Sequence, residues 1–339
     1  MDLPAEFDLG IYRRHNADLS RLNNEELQRH YRAHGATEGR VCSLVTGRDV
    51  FFSLLRDAGS ILEIGPLASP SVRGPNVKYF DVVGTEALKA KAKASQLNPK
   101  NCPDIDYVSP TGDLAVIDAQ FDAVVSSHAI EHQPDLIQHL LGVARILQPG
   151  GSYFLAVPDK RYCFDHFIAE STIAEVLDAH VRQRRVHDAA SLVEHRALTT
   201  HNDARRHWSG DHGEPAYKSN PGVFRDALQT VLASGGAYLD SHAWQFSPSS
   251  FAEILRILFD IEMSPFRVLR VYPTMHGGIE FYAVLQKVRE RVEPLQIALP
   301  ADFDANLYLQ ANPDVAAAGT DAKLHYLAFG HREGRKLRP

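Results

Sequence analysis

Cysteine is scarce in this chain. Cys42, Cys102 and Cys163 lie far apart, with no Cys-x-x-Cys pair among them. The odd count and wide spacing argue against a disulfide framework or a cysteine zinc site, and fit reduced thiols in a cytoplasmic protein. No apolar run approaches the roughly 20 residues needed to span a bilayer. The opening residues Met1-Asp2-Leu3-Pro4-Ala5-Glu6 are acidic and have no apolar core, so no signal peptide is expected. Basic residues are not in excess: 36 Lys and Arg stand against 42 Asp and Glu, a formal net charge of −6. A surface that coats nucleic acid needs clustered positive charge, so no nucleic-acid partner is expected. No Gly-x-Gly-x-x-Gly follows the first candidate strand, which argues against a dehydrogenase.

What remains is an ordinary globular composition, 44% apolar and 23% charged, on a chain of 339 residues. That length allows one large domain with small modules beside it. Histidine is frequent: 12 of the 17 fall between His128 and His276, which places proton chemistry in the later half of the core. The two ends of the chain resemble each other. Phe7-Asp8, Tyr12, Asn16, Asp18, His30-Tyr31, Gly35 and Glu38-Gly39-Arg40 align with Phe303-Asp304, Tyr308, Asn312, Asp314, His325-Tyr326, Gly330 and Glu333-Gly334-Arg335. Such self-similarity marks a duplicated unit. Each copy reads as two short helices, the first capped by Asp8 or Asp304. Leu27 and Tyr31, or Leu324 and Phe329, form the apolar face of the second. Gly35 or Gly330 is expected to stop that helix. Each copy is either a packing cap on the core or a docking module.

Between them, apolar runs alternate with helical patterns, as in a parallel sheet covered on both faces. A leading helix is expected over 45–56. Strands are expected at 61–64, 77–83, 106–108, 121–126 and 153–157, followed by a late pair at 266–272 and 279–286. Helices are expected at 134–147, ended by Pro149-Gly150-Gly151, at 171–185, and after Ser247-Pro248-Ser249. Residues 159–245 read as less regular.

Two strings stand out: Ile61-Leu62-Glu63-Ile64-Gly65-Pro66, and Phe121-Asp122-Ala123-Val124-Val125-Ser126-Ser127-His128-Ala129-Ile130-Glu131-His132. They resemble the first and fourth strands of S-adenosylmethionine-dependent methyltransferases of the Rossmann-like class. Glu-Ile-Gly-Pro-Leu, Ser-His-x-Ile-Glu-His-x-Pro-Asp and the string from Val157 to Phe167 resemble a subgroup linked to bacterial glycan and O-antigen modification. The terminal repeats resemble a short "NPDV…HYxxxGxxEGR" module that accompanies glycan-modifying proteins. The resemblance implies an α/β fold with a doubly wound, mostly parallel seven-stranded sheet and small helical modules at both termini. It divides the chain into 1–42, a methyltransferase domain over 43–290 with a substrate-side insertion at 159–245, and 300–339. Leu67 and Ser69 stand where the family's later glycines would be.

In an open α/β sheet the ligand sits beyond the carboxyl ends of the strands, where the topology switches. S-adenosylmethionine is therefore expected against Glu63, Gly65 and Pro66, with Ser127 and His128 beside the sulfonium. Asp81 ends the second strand and either accepts from the ribose hydroxyls or closes a turn. Asp113 and Leu114 are placed at the adenine. A hydroxyl acceptor needs its proton removed during attack. His128, His132 and His166 are the candidate bases, with Asp159 or Glu131 orienting them. Glu131 and His132 can equally cap the following helix. Lys160 and Arg161 either hold an acidic group on the acceptor or form a solvated turn. His201, Asp203, His207, Asp211 and His212 form a second polar cluster without tight ligand spacing, so no metal is expected. Trp208 can stack on a sugar face or simply pack. The expected reaction is O-methylation of a sugar hydroxyl on a bacterial surface polysaccharide or its precursor. A small-molecule methyltransferase for a quinone or secondary metabolite is the alternative. A silent scaffold that binds glycan-assembly enzymes is another. A glycosyltransferase partner or self-association is expected of the terminal modules.

Overall fold

The computed structural model describes residues 3, 7–38, 40–42, 45, 47–289, 299–331 and 333–339. Most of the opening segment, Gly39, Thr46 and the domain boundary at 290 lie outside the described residues. Seven strands form one sheet: β1 (Ile61–Ile64), β2 (Val77–Asp81), β3 (Tyr107–Val108), β4 (Phe121–Ser127), β5 (Leu147–Pro158), β6 (Phe266–Tyr272) and β7 (Glu280–Lys287). Their order is β3-β2-β1-β4-β5-β7-β6. All neighbours are parallel except those of β7, which runs antiparallel to β5 and β6. This is the doubly wound, mostly parallel seven-stranded sheet that the resemblance implied.

Side chains alternate across the sheet with period two. Leu62 and Ile64 face one buried layer, with Val124, Leu155 and the helices Leu136–Arg145 and Pro248–Asp260. Ile61 faces the other, with Val77, Tyr79, Val125 and the aromatic pair Phe51 and Phe52. Glu63 shares the second face with Ile61, so a carboxylate enters an otherwise apolar layer. Ile64 lies opposite Phe80 on one side and Ser126 on the other, which brings the ends of β1, β2 and β4 level.

Several boundaries differ from the sequence pattern. The leading helix is Arg48–Phe52, tightening to a 3-10 turn at Ser53–Leu55. Pro134 does not open its helix; Asp135 caps it by accepting from the Gln138 amide, and Pro134 precedes the cap. Pro149-Gly150-Gly151 lies inside β5, where the register with β4 shifts, rather than ending the segment. Residues 159–245 are more helical than their composition suggests, with Ile173–Val181, Ala189–Ala197, Ala204–Trp208, Ala216–Ser219 and Val223–Ala233.

Both terminal segments close small cores of their own, one around Tyr12 and Leu27, the other around Tyr308 and Val315. Corresponding bonds recur in the two. Asp8 and Asp304 cap their first helices. The Tyr12 hydroxyl meets His30 Nδ1 at 2.8 Å, and the Tyr308 hydroxyl meets His325 Nδ1 at 2.8 Å. Arg40 pairs with Asp18, and Arg335 with Asp314. Gly35 and Gly330 do not stop the second helix as expected; each ends a wider π-helical turn, Tyr31–Gly35 or Tyr326–Gly330. Glycine is needed there because a Cβ would fall 2.0 Å from the Tyr12 hydroxyl or 2.1 Å from that of Tyr308. Phe329 is exposed, and Tyr326 takes the core place expected of it. Cys42, Cys102 and Cys163 are all buried. Among the described residues, no helix is long and apolar enough to cross a membrane.

Candidate active site

The sheet order reverses between β1 and β4, and the crevice outside their carboxyl ends is where such sheets bind ligands. Gly65 makes the turn out of β1 with φ +70°, a conformation that favours glycine, and donates its amide to Phe80. The following loop is tied back to the strand from below. Glu63 accepts from the amide of Ser71 at 2.7 Å and from that of Val72 at 3.2 Å, while the Tyr79 hydroxyl donates to the Val72 carbonyl at 2.8 Å. Burial lifts the Glu63 carboxyl to about 7 against the pull of these amides. Glu63 thus shapes the loop that reaches the ligand.

At the end of β4, His128 adopts φ +50°, unusual for a side chain with a Cβ, and its amide donates to Ala156. Its Nε2 lies 2.7 Å from Glu280 Oε2 on β7. Glu280 also takes the guanidinium of Arg48 and, at Oε1, the Tyr282 hydroxyl at 3.0 Å. Burial works to raise the Glu280 carboxyl, but the hydrogen bonds from His128 and Arg48 outweigh it and hold it at about 2. Antiparallel pairing sets Glu280 opposite Pro158, and that register carries the carboxylate to the rim beside His128. Sequence reading missed Glu280 and Arg48, since neither lies in a local motif.

Glu63, Gly65, Pro66, Ser127, His128 and Glu280 line one cleft of about 710 Å³, closed by Arg48 and the loop at 275–279. Its size suits a nucleoside-sized ligand. The bare turn at Gly65 lets main chain approach such a ligand, so the nucleoside-sized S-adenosylmethionine fits the residues present.

The other candidate residues fall elsewhere. Asp81 is buried at the end of β2, its Oδ1 accepting from the Val83 amide at 3.2 Å; it is not on the cleft wall. Asp113 caps the short turn Leu114–Val116 through the Ala115 amide, and Leu114 packs in the core. Asp159 is fully buried, with both oxygens engaged by Arg161 and by the Thr274 hydroxyl. That pairing binds the end of β5 to the loop after β6, and it occupies the guanidinium of Arg161. Lys160 donates to the His166 carbonyl. His166 stacks on His212 with ring centroids 3.7 Å apart, away from the cleft wall. Trp208 stacks on Tyr162 at 3.9 Å and donates to the Gly278 carbonyl, so one ring face is already covered. Glu131 and His132 do not cap the next helix; they form a 3-10 turn, Ile130–His132, with the Glu131 carboxyl fully buried.

The family model described as a methyltransferase domain matches residues 63–155, from Glu63 on β1 into β5. Among solved structures, the chain is similar to the CurJ carbon methyltransferase at 12% identity, over 71% of this chain and 52% of that one, with a TM-score of 0.35. It is similar to the mitomycin 7-O-methyltransferase MmcR at 15% identity, over 80% of this chain and 60% of that one, with a TM-score of 0.35. A SAM-dependent methyltransferase from Thermotoga maritima, a possible histamine N-methyltransferase, aligns at 13% identity over 83% of this chain and 99% of that one, with a TM-score of 0.35. The chain thus spans 52% and 60% of the length of the first two. Likeness this distant carries nothing about the acceptor. It is residues 63–155, from the end of β1 into β5, that carry the likeness to a methyltransferase domain.

Proposed function

We propose that this chain transfers the methyl group of S-adenosylmethionine to a hydroxyl on a sugar of a bacterial surface polysaccharide or its precursor. Gly65, Pro66 and Ser127 would hold the donor from the ends of β1 and β4. The acceptor oxygen bonds to the methyl carbon as the carbon–sulfur bond breaks, and the electron pair stays on sulfur. The hydroxyl proton passes to His128. Because the leaving group is already activated, alignment of the three atoms and removal of that proton are what the protein must supply.

One observation carries this reading. Of the three candidate histidines, His128 alone lines the cleft, and its Nε2 rests on the Glu280 carboxylate. That contact fixes the ring and leaves Nδ1 to take a proton. The sugar assignment is supported by the resemblance of the strings at 61–67, 127–135 and 157–167 to glycan-linked methyltransferases. The terminal modules, each closed on its own small core, are read as docking units for a glycosyltransferase or for self-association. The division into 1–42, 43–290 and 300–339 is part of the same proposal.

The test incubates the purified chain with isotopically labelled S-adenosylmethionine and a panel of sugars, quinones and small metabolites, and locates the label by mass spectrometry. Labelled oxygen on a sugar supports the proposal. Label confined to quinones or metabolites replaces the acceptor class, and absence of donor binding by calorimetry leaves only the scaffold. His128→Asn is expected to lose transfer while keeping donor affinity.

A further inference from the structure

Glu131 is fully buried, and neither carboxyl oxygen has a hydrogen-bond partner. A buried carboxylate without partners is costly, so such a group calls for a cation or a donor. Two imidazoles point at it. His132 Nε2 lies 3.8 Å from Glu131 Oε1, and His242 Nε2 lies 3.9 Å from the same atom. Both rings are held from behind by carboxylates. His132 Nδ1 meets Asp240 Oδ1 at 3.0 Å, and His242 Nδ1 meets Asp165 Oδ2 at 2.5 Å. A carboxylate on one ring nitrogen fixes the tautomer and presents the other nitrogen as a lone pair, the usual arrangement behind metal-bound histidine. Asp165 is itself buried, with Oδ1 unpartnered, so a second carboxyl group in this interior also lacks a donor.

We propose that Glu131, His132 and His242 bind a divalent transition-metal ion, with zinc as the best match. The three ligand atoms all lie within 4.8 Å of one another. Ligands at about 2.1 Å from a tetrahedral zinc stand about 3.4 Å apart, so modest closure around the ion completes the site. Two imidazoles and one carboxylate are a set that zinc accepts, and three protein ligands leave a fourth position for water or an acceptor oxygen. His128 Nδ1 lies 4.0 Å from Glu131 Oε1, so the site adjoins the cleft through that ring. A metal there would lower the pKa of a bound hydroxyl, a role that rests on the methyltransferase reading; the binding of the ion does not. The other histidine group, His166, His207 and His212, is less suited. His166 and His212 are stacked face to face, His207 Nδ1 and His212 Nδ1 already share a contact of 3.0 Å, and no carboxylate joins them.

The test strips the full chain with a chelator, dialyses it against zinc chloride and measures zinc per chain by mass spectrometry. One equivalent is expected, lost in Glu131→Gln and in His242→Ala and kept in His212→Ala. Asp165→Asn and Asp240→Asn, which leave all three ligands in place, are expected to weaken zinc about 10- to 100-fold. On the wild-type chain, zinc should protect His132 from carbethoxylation and leave His212 reactive, a readout that needs no variant to fold. Failure to bind zinc, zinc that survives in both ligand variants, or protection of His212 instead of His132 overturns the proposal. Since zinc is counted without assaying transfer, failure of the methyl-transfer reading would leave this result standing.

Discussion

His128 and Glu280 stand 152 positions apart in sequence and 2.7 Å apart in space, joined Nε2 to Oε2 at the rim of the cleft. The carboxylate is fixed in turn by Arg48 and Tyr282, so the imidazole is held by a frame that spans the leading helix, β4 and β7. Replacing Glu280 with Gln keeps the shape and removes the charge. Transfer is expected to fall about 100-fold, the scale of one positioned proton acceptor, with donor affinity changed only a few-fold. Single-turnover rates and calorimetry on the same variant separate the two effects.

Glu63 gives the fold an inverted pH dependence. Its carboxyl is raised to about 7 by burial, above the roughly 4.3 of an unfolded glutamate. Between those values the folded chain holds the proton and the unfolded chain does not, so this contribution is present below pH 4 and is lost as pH rises through 7. The loss amounts to about 4 kcal/mol. Denaturant unfolding of the ligand-free chain at pH 5 and pH 8 should show a smaller difference in Glu63→Gln than in the wild type. An equal difference in both rejects the assignment.

Asp159 serves structure. Asp159→Asn replaces a fully buried carboxylate that carries Arg161 and Thr274, and it should destabilise the chain by about 2–3 kcal/mol. The value lies below the roughly 3–5 kcal/mol of a broken fully buried pair because Arg161 is half-exposed and keeps its water. Thermal unfolding checks this. Donor affinity at low temperature should be little changed.

Gly330→Ala sets a methyl group against the Tyr308 hydroxyl, and Gly35→Ala does the same at Tyr12. Either change should break the tyrosine–histidine bond of its own module and cost that module about 1–3 kcal/mol through overpacking. Hydrogen exchange is the measurement: protection should fall in the altered module while the sheet keeps its own.

Much of this molecule is set by local pattern. Apolar runs at 61–64 and 121–126 had to be buried strands, and Glu63 followed by Gly65 marked the turn at which β1 ends. Asp8, Ser247 and Asp304 cap helices because their short side chains reach the free amides one turn on, an interaction that neighbouring residues decide alone. Tertiary structure decided the rest. Asp159 looked free to meet an acceptor until β5 and the Thr274 loop closed on it. Gly35 and Gly330 looked like helix stops, and turned out to make room for a tyrosine from another helix. Glu280 reached His128 through the antiparallel register of β7, and His242 reached Glu131 from across the helical segment after β5. Contacts of that kind depend on which strands lie side by side, and residues far apart in sequence leave no periodic signal of their meeting.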